Sequence, residues 1–212
     1  MTETTHGTTG ASRPHVFVAG RADLSPLLLL HGTGGDEHDL IPLAQQLAPD
    51  APLLSPRGMV TENGMARFFR RLAEGVFDED DLRGRVDELA DFVLAAQGEH
   101  GITPGSWQAI GFSNGANIAS ALLLRRPEVL AGAVLIAAMV PFREPGQADL
   151  TGKRVAVVNG RRDPMATTTQ TRTLVGQLRE RGAEVVEIPH EGGHTLDVAT
   201  VPRMRDFLRG GS

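Results

Sequence analysis

Between an apolar run, Trp107 to Gly111, and a helical pattern, Asn117 to Arg125, stands Gly111-Phe112-Ser113-Asn114-Gly115. It reads as a strand, a hairpin-sharp turn and a helix, with a serine at the apex. The flanking glycines have a steric reason, since a Cβ on either side of so tight a turn would collide with the neighbouring strand or helix. Three small residues recur by chance in a chain with 25 glycines, so the information lies in the position of the turn between strand and helix.

The same alternation repeats along the chain. Val16 to Ala19 suits an early strand, such as one at a sheet edge. Leu27 to Leu30 carries no polar alternation, which is how a strand covered on both faces reads. It stops at His31-Gly32-Thr33-Gly34-Gly35, after which Leu40, Leu43, Ala44 and Leu47 recur at helical spacing until Pro49. Pro52 to Ser55 is a third strand. Arg57 to Phe77 is a long, atypical connection holding Met59, Met65, Phe68, Phe69, Leu72 and Phe77. The run Asp78 to Asp81 reads as the cap of an amphipathic helix marked by Leu82, Val86, Leu89 and Val93, because carboxylates suit the positive end of a helix; a metal site is the sharper and less favoured reading.

Further apolar runs follow at Val129 to Val140, Val155 to Val158 and Val185 to Ile188. A helical pattern spans Thr171 to Leu178, and a closing one begins or restarts at Pro202. Strands alternating with helices imply an α/β domain with a mostly parallel sheet and helices on both faces. Pro141 to Lys153 separates two late strands and leaves no room there for a large cap domain.

At 212 residues one domain suffices, expected over 13–212, with the polar, Thr/Gly-rich 1–12 as a disordered tail. The tail lacks the basic and apolar regions of a signal peptide, and Leu27 to Leu30 is far too short to cross a bilayer. A soluble cytoplasmic protein with no membrane insertion is the expectation. Basic residues, 21 against 26 acidic, are scattered rather than gathered into a stripe, so nucleic acid is not an expected partner. The absence of cysteine removes disulfides, cysteine-ligated zinc and a cysteine nucleophile, and neither a metal nor a cofactor is expected.

Ligands of open α/β sheets meet the carboxyl ends of the strands, so catalytic residues should follow strands. Ser113 does, and as a nucleophile it needs a base within roughly 2.6–3.2 Å. His194, in Glu191-Gly192-Gly193-His194, follows the last strand on a glycine turn that could carry the imidazole back over the sheet. His190 is its nearest rival but has less loop to reach the serine. Asp163 follows Val155 to Val158 and could hold the other imidazole nitrogen, whereas Asp149 precedes that strand and Asp197 follows the histidine. Donors for an oxyanion are expected from the backbone of Asn114, at the start of the elbow helix, and of Thr33 in the glycine turn. His31 reads as a packing residue shaping that turn. A phosphate loop is disfavoured, because no Gly-Lys-Ser/Thr follows and the dinucleotide glycine spacing is absent.

With the order Ser113, Asp163, His194, and with the His31 to Gly35, Gly111 to Gly115, Gly160 to Pro164 and Gly192 to His194 segments, the chain resembles the α/β-hydrolase superfamily from Val16 to Leu208. It is closer to the small phospholipase/carboxylesterase branch. Arg57-Gly58 and Glu62-Asn63-Gly64-Met65 leading into Arg67 to Arg71 resemble bacterial carboxylesterases, some associated with resistance to hydroquinones and quinones. The resemblance implies serine esterase activity with Ser113, Asp163 and His194 as triad and Thr33 and Asn114 as oxyanion donors. The related dienelactone hydrolases use a cysteine, which this chain lacks.

A serine carboxylesterase for small to medium acyl esters is therefore expected, with a small-molecule ester as partner. A thioesterase, lysophospholipase or lactone hydrolase using the same triad is the alternative, and a non-catalytic binding protein on the same fold is a third. Met59, Met65, Phe68, Phe69, Met139, Val140, Phe142 and Met165 are candidates for an apolar pocket wall, since they flank strand ends or lie in the atypical connection, although core packing is the commoner role of each taken alone.

Overall fold

A computed structural model describes residues 4–5 and 13–211. The expected disordered tail falls outside the described residues except for Thr4–Thr5, strand β1, which pairs antiparallel with β2 (His15–Val18). The chain continues through β3 (Leu27–Leu30), α1 (Ile41–Leu47) and β4 (Leu53–Pro56). Two small hairpins follow, β5 (Val60–Glu62) with β6 (Met65–Arg67) and β7 (Arg71–Ala73) with β8 (Val76–Phe77). Then come α2 (Glu79–Glu99), β9 (Trp107–Phe112), α3 (Asn114–Arg125), β10 (Leu130–Ile136), β11 (Arg154–Val158), α4 (Thr168–Arg179), β12 (Glu184–Glu187) and α5 (Val201–Leu208).

The main sheet runs β1-β2-β4-β3-β9-β10-β11-β12, and every pairing from β4 to β12 is parallel. Period-two alternation explains its two-sided burial. Leu28 and Leu30 point into one core, packed with Leu82, Val86 and Val93 of α2, the apolar residues of α3 and Leu174 and Leu178 of α4. Leu27 and Leu29 point into the other, with Leu43 and Leu47 of α1 and Met204 and Phe207 of α5. All four leucines are at most 1% exposed, and burying each side chain contributes about 1.5–3 kcal/mol. No regular element lies between β10 and β11, so no cap domain is inserted there, and no helix among the described residues is long and apolar enough to cross a membrane.

The acidic run does cap α2: the Asp78 carboxylate accepts from the Asp81 backbone N–H, and Glu79, Asp80 and Asp81 occupy the first turn. The connection from Arg57 to Phe77 is folded, because Asn63 and Gly64 both take positive φ, 51° and 77°, as a two-residue hairpin turn requires. Its aromatic residues close the main core. Phe68 and Phe69 are 2% and 0% exposed and pack there with Phe142, at 1%, so these three belong to the core and not to the expected pocket wall.

Candidate active site

At the carboxyl end of β9 the chain reverses directly into α3. Ser113, at the reversal, has φ 51° and ψ −114°, a conformation that L-residues adopt only under constraint. The constraint is close packing on both sides. A Cβ on Gly111 would lie 2.6 Å from the Gly115 carbonyl oxygen and 2.7 Å from Ala116 Cα, and one on Gly115 would overlap the Leu30 carbonyl. From Asn114 to Leu124 every residue of α3 is buried, with Ala116 and Ala119 keeping the helix thin where it crosses the sheet.

Two strands further along, β11 ends at Val158, and the loop that follows through Asn159-Gly160 delivers Asp163. Its carboxylate is saturated: Oδ1 accepts the backbone N–H groups of Met165 and Ala166 at 2.8 and 2.9 Å, and Oδ2 faces His194 Nδ1 at 2.8 Å. With an acceptor there, Nδ1 carries the proton, and Nε2, 2.8 Å from Ser113 Oγ, is free to accept. The loop after β12 reaches this far because it lies on the loop after β11. Arg161 and Arg162 donate backbone N–H groups to the carbonyls of His190 and Gly192 at 2.8 and 3.0 Å. Gly160 permits that approach, since a Cβ there would overlap the carbonyls of Gly192 and Gly193. His190, the rival histidine, is buried at 6% exposure and its Nδ1 accepts the Gly192 N–H, away from the serine.

Thr33 and Asn114 line the same small cavity as Ser113, about 40 Å³, together with Arg67, Arg71, Gly75, Phe77, Asn117, Met139 and Met165. Among the described residues, neither backbone N–H of Thr33 and Asn114 finds an acceptor, as expected for donors at a helix start and a glycine turn. Both positions are fixed from behind. Arg67 Nη1 donates to Thr33 Oγ1 at 2.7 Å, and Asn114 Oδ1 accepts the Phe68 N–H at 2.7 Å.

The chain matches no family model. MhqD of Bacillus subtilis strain 168, named as a hydrolase, is 45% identical over 195 residues, covering 92% of this chain and 97% of that protein. The crystal structure of the Bacillus cereus carboxylesterase superposes with a TM-score of 0.92 at 43% identity, over 95% of each chain. The chain belongs to the carboxylesterase branch of the α/β-hydrolases. A Mesorhizobium loti carboxylesterase at 28% identity has the same fold, with a TM-score of 0.90 over 98% of this chain and 99% of that one.

Within this α/β-hydrolase the pocket differs from the expected wall. Met139 and Met165 line the Ser113 cavity, whereas Val140 lines a neighbouring groove. Met59 and Met65 do not line the cavity; they are 45% and 38% exposed, Met59 just before β5 and Met65 with its side chain against Gly34 of the glycine turn. Residues that sequence reasoning did not assign to the cavity are Arg67, Arg71, Gly75, Phe77 and Asn117. One signal was available for Arg67, a cation set immediately before two phenylalanines, and the Asn63-Gly64 turn could have placed it on a hairpin.

His31 anchors the glycine turn. Its ring is 2% exposed, Nδ1 donates to the Gly32 carbonyl at 2.6 Å, and Nε2 accepts the Gly58 N–H at 2.9 Å. Only a neutral imidazole can do both. Burial lowers the pKa below the usual histidine value, and wins over Asp36, Glu37 and Asp39, which favour the cation. A folded-state pKa below the unfolded one means that the unfolded chain takes up the proton first, so this stabilisation is full above the unfolded value and lost as pH falls below it. Between about pH 7.5 and about pH 5.5 the urea midpoint should fall more steeply for the native chain than for His31→Gln, which cannot titrate. Equal slopes would remove His31 from the acid response.

Proposed function

We propose that the chain is a serine carboxylesterase that hydrolyses small to medium acyl esters through an acyl-enzyme, with small acyl groups preferred. The observation that carries this reading is the unbroken chain Asp163 Oδ2, His194, Ser113 Oγ, both links 2.8 Å long. His194 Nε2 takes the hydroxyl proton as Ser113 Oγ bonds to the ester carbonyl carbon. Asp163 holds the tautomer and stabilises the imidazolium. The negative charge that develops on the carbonyl oxygen is met by the backbone N–H groups of Thr33 and Asn114, each such donor being worth roughly a hundred- to a thousandfold in rate. Collapse of the tetrahedral intermediate breaks the bond to the alcohol oxygen, which leaves with the proton from His194. Water, deprotonated by the same imidazole, then attacks the acyl-serine; its bond to Ser113 breaks, and the carboxylic acid is released with the hydroxyl restored. The activities for which the Bacillus cereus and Mesorhizobium loti proteins are named support the same chemistry.

The preference for small acyl groups rests on the cavity of about 40 Å³ at Ser113. Beside it, and sharing Gly75 and Phe77 with it, runs a groove of about 600 Å³ lined by Leu72, Val76, Val140 and Thr173. Met139, 6% exposed, belongs to the wall between them, its methyl group 3.7 Å from where a Cβ on Gly75 would stand. In a series of 4-nitrophenyl esters from acetate to octanoate, kcat/KM should be greatest for the shortest acyl groups, and Met139→Ala should move the optimum to longer chains. No hydrolysis of any member would overturn the esterase reading. An unchanged optimum in the variant would remove Met139 as the limit on acyl length.

A further inference from the structure

The two arginines in the Ser113 cavity differ in how fully they are engaged. Arg67 is committed to the protein: besides Thr33 Oγ1 it donates through Nε to the Phe69 carbonyl at 3.1 Å, and it lies 3.3 Å from Glu62 Oε2 with a side chain only 4% exposed. Arg71 is tied at one point, Nε to Glu62 Oε1 at 2.7 Å, and its side chain is 28% exposed. Its terminal nitrogens make no hydrogen bond to any described residue. A guanidinium presents two such N–H edges in a fixed fork that matches a carboxylate.

Charge bookkeeping points the same way. Arg67 and Arg71 share a single carboxylate, Glu62, so this pair carries one positive charge in excess where it lines the cavity, while the Asp163 carboxylate lies behind His194 and is bonded to its Nδ1. In the neighbouring groove two of the lining acids are already paired, Asp78 with Arg70 at 2.9 Å and Glu79 with Arg83 at 3.6 Å, and Arg143 lies beside them. An anion is therefore attracted to the inner cavity, where the terminal edge of Arg71 has no partner among the described residues. A neutral ester would leave that edge of Arg71 without a partner.

We propose that the substrate is a small ester carrying a free carboxylate, and that Arg71 binds this carboxylate and sets the preference for it. This rests on the esterase reading. The small volume of the cavity places the carboxylate within a few bonds of the scissile carbonyl, in either the acyl or the alcohol part.

The test compares each anion with its neutral amide. Monomethyl succinate against methyl succinamate puts the charge in the acyl part, and acetylglycolate against acetylglycolamide puts it in the alcohol part. For at least one pair, native enzyme should show a kcat/KM ratio of carboxylate to amide of roughly ten or more. In Arg71→Gln the ratio should fall to near one, Arg71→Lys should restore part of it, and Glu62→Gln should raise it. Binding of the same four compounds to Ser113→Ala, followed by calorimetry, reads recognition without chemistry. Carboxylate and amide hydrolysed equally by native enzyme in both pairs, or a ratio unmoved by the Arg71 and Glu62 variants, would overturn the proposal while leaving the esterase reading intact. Arg71-dependent binding of the carboxylate without any hydrolysis would overturn the esterase reading and keep the anion site.

Discussion

Ser113→Ala should lose covalent labelling by a fluorophosphonate and retain roughly a ten-thousandth to a millionth of the native kcat, with the fold intact. The size of the effect follows from what Oγ does. In the proposed mechanism it is the atom that bonds to the substrate, and His194 Nε2 has no other side-chain partner at 2.8 Å to deprotonate. The fold should survive because alanine tolerates the elbow no worse than serine and no hydrogen bond from the Ser113 side chain other than the one to His194 is lost. Intact-mass measurement after labelling checks the nucleophile, and an ester assay checks the rate. Asp163 is the useful comparison. Asp163→Asn keeps the shape but frees the imidazole to take the wrong tautomer, so it should cost roughly ten-thousandfold in kcat without abolishing slow labelling. A Ser113→Ala protein labelled like the native chain would transfer the nucleophile to another residue and leave the Asp163-His194 pair without a purpose in catalysis.

The elements whose physics is local were legible in the sequence. Leu27 to Leu30 and Trp107 to Gly111 read as buried strands because helices cover both faces, and each loop that delivers Ser113, Asp163 or His194 begins where such a run ends. Start points were less legible. The elbow helix begins at Asn114 and not Asn117, since Asn114 to Ala116 are chosen for close approach to the sheet and carry no apolar periodicity. Val129 to Val140 reads as one apolar run, yet the strand ends at Ile136 and Ala137, at φ 54°, turns the chain. Hydrophobicity says that a residue is covered but not by what, which is why Phe68, Phe69 and Phe142 could be read as pocket wall although core packing is the commoner role of each taken alone. The converse holds for Arg67 and Arg71. A charged residue in sequence reads as surface, and only the pairing of the β5–β6 and β7–β8 hairpins around Glu62 brings both guanidiniums to the serine.

Gly115 is where the elbow, the end of β3 and the glycine turn meet, so Gly115→Ala should be among the most damaging single substitutions in the chain. Helix propensity alone predicts the opposite, a gain of about 0.8–1 kcal/mol for alanine over glycine inside a helix. Packing decides the sign. The new Cβ would overlap the Leu30 carbonyl and sit 2.5 Å from the His31 carbonyl oxygen, both backbone atoms of a fully buried strand end held by pairing to Gly111. Neither can swing away as a flexible side chain could, and overpacking of this kind costs typically about 1–3 kcal/mol, occasionally more. Any relief must come from lifting α3 off β3, which moves Ser113 and the Asn114 N–H away from Thr33. Stability and kcat should therefore fall together. Gly84→Ala, on an exposed turn of α2 where a Cβ meets nothing within 4 Å, isolates the propensity term and should raise the urea midpoint. If both substitutions shift the midpoint in the same direction, contact with Leu30 is not what requires glycine at the elbow, and the strain at Ser113 must be held by Gly111 alone.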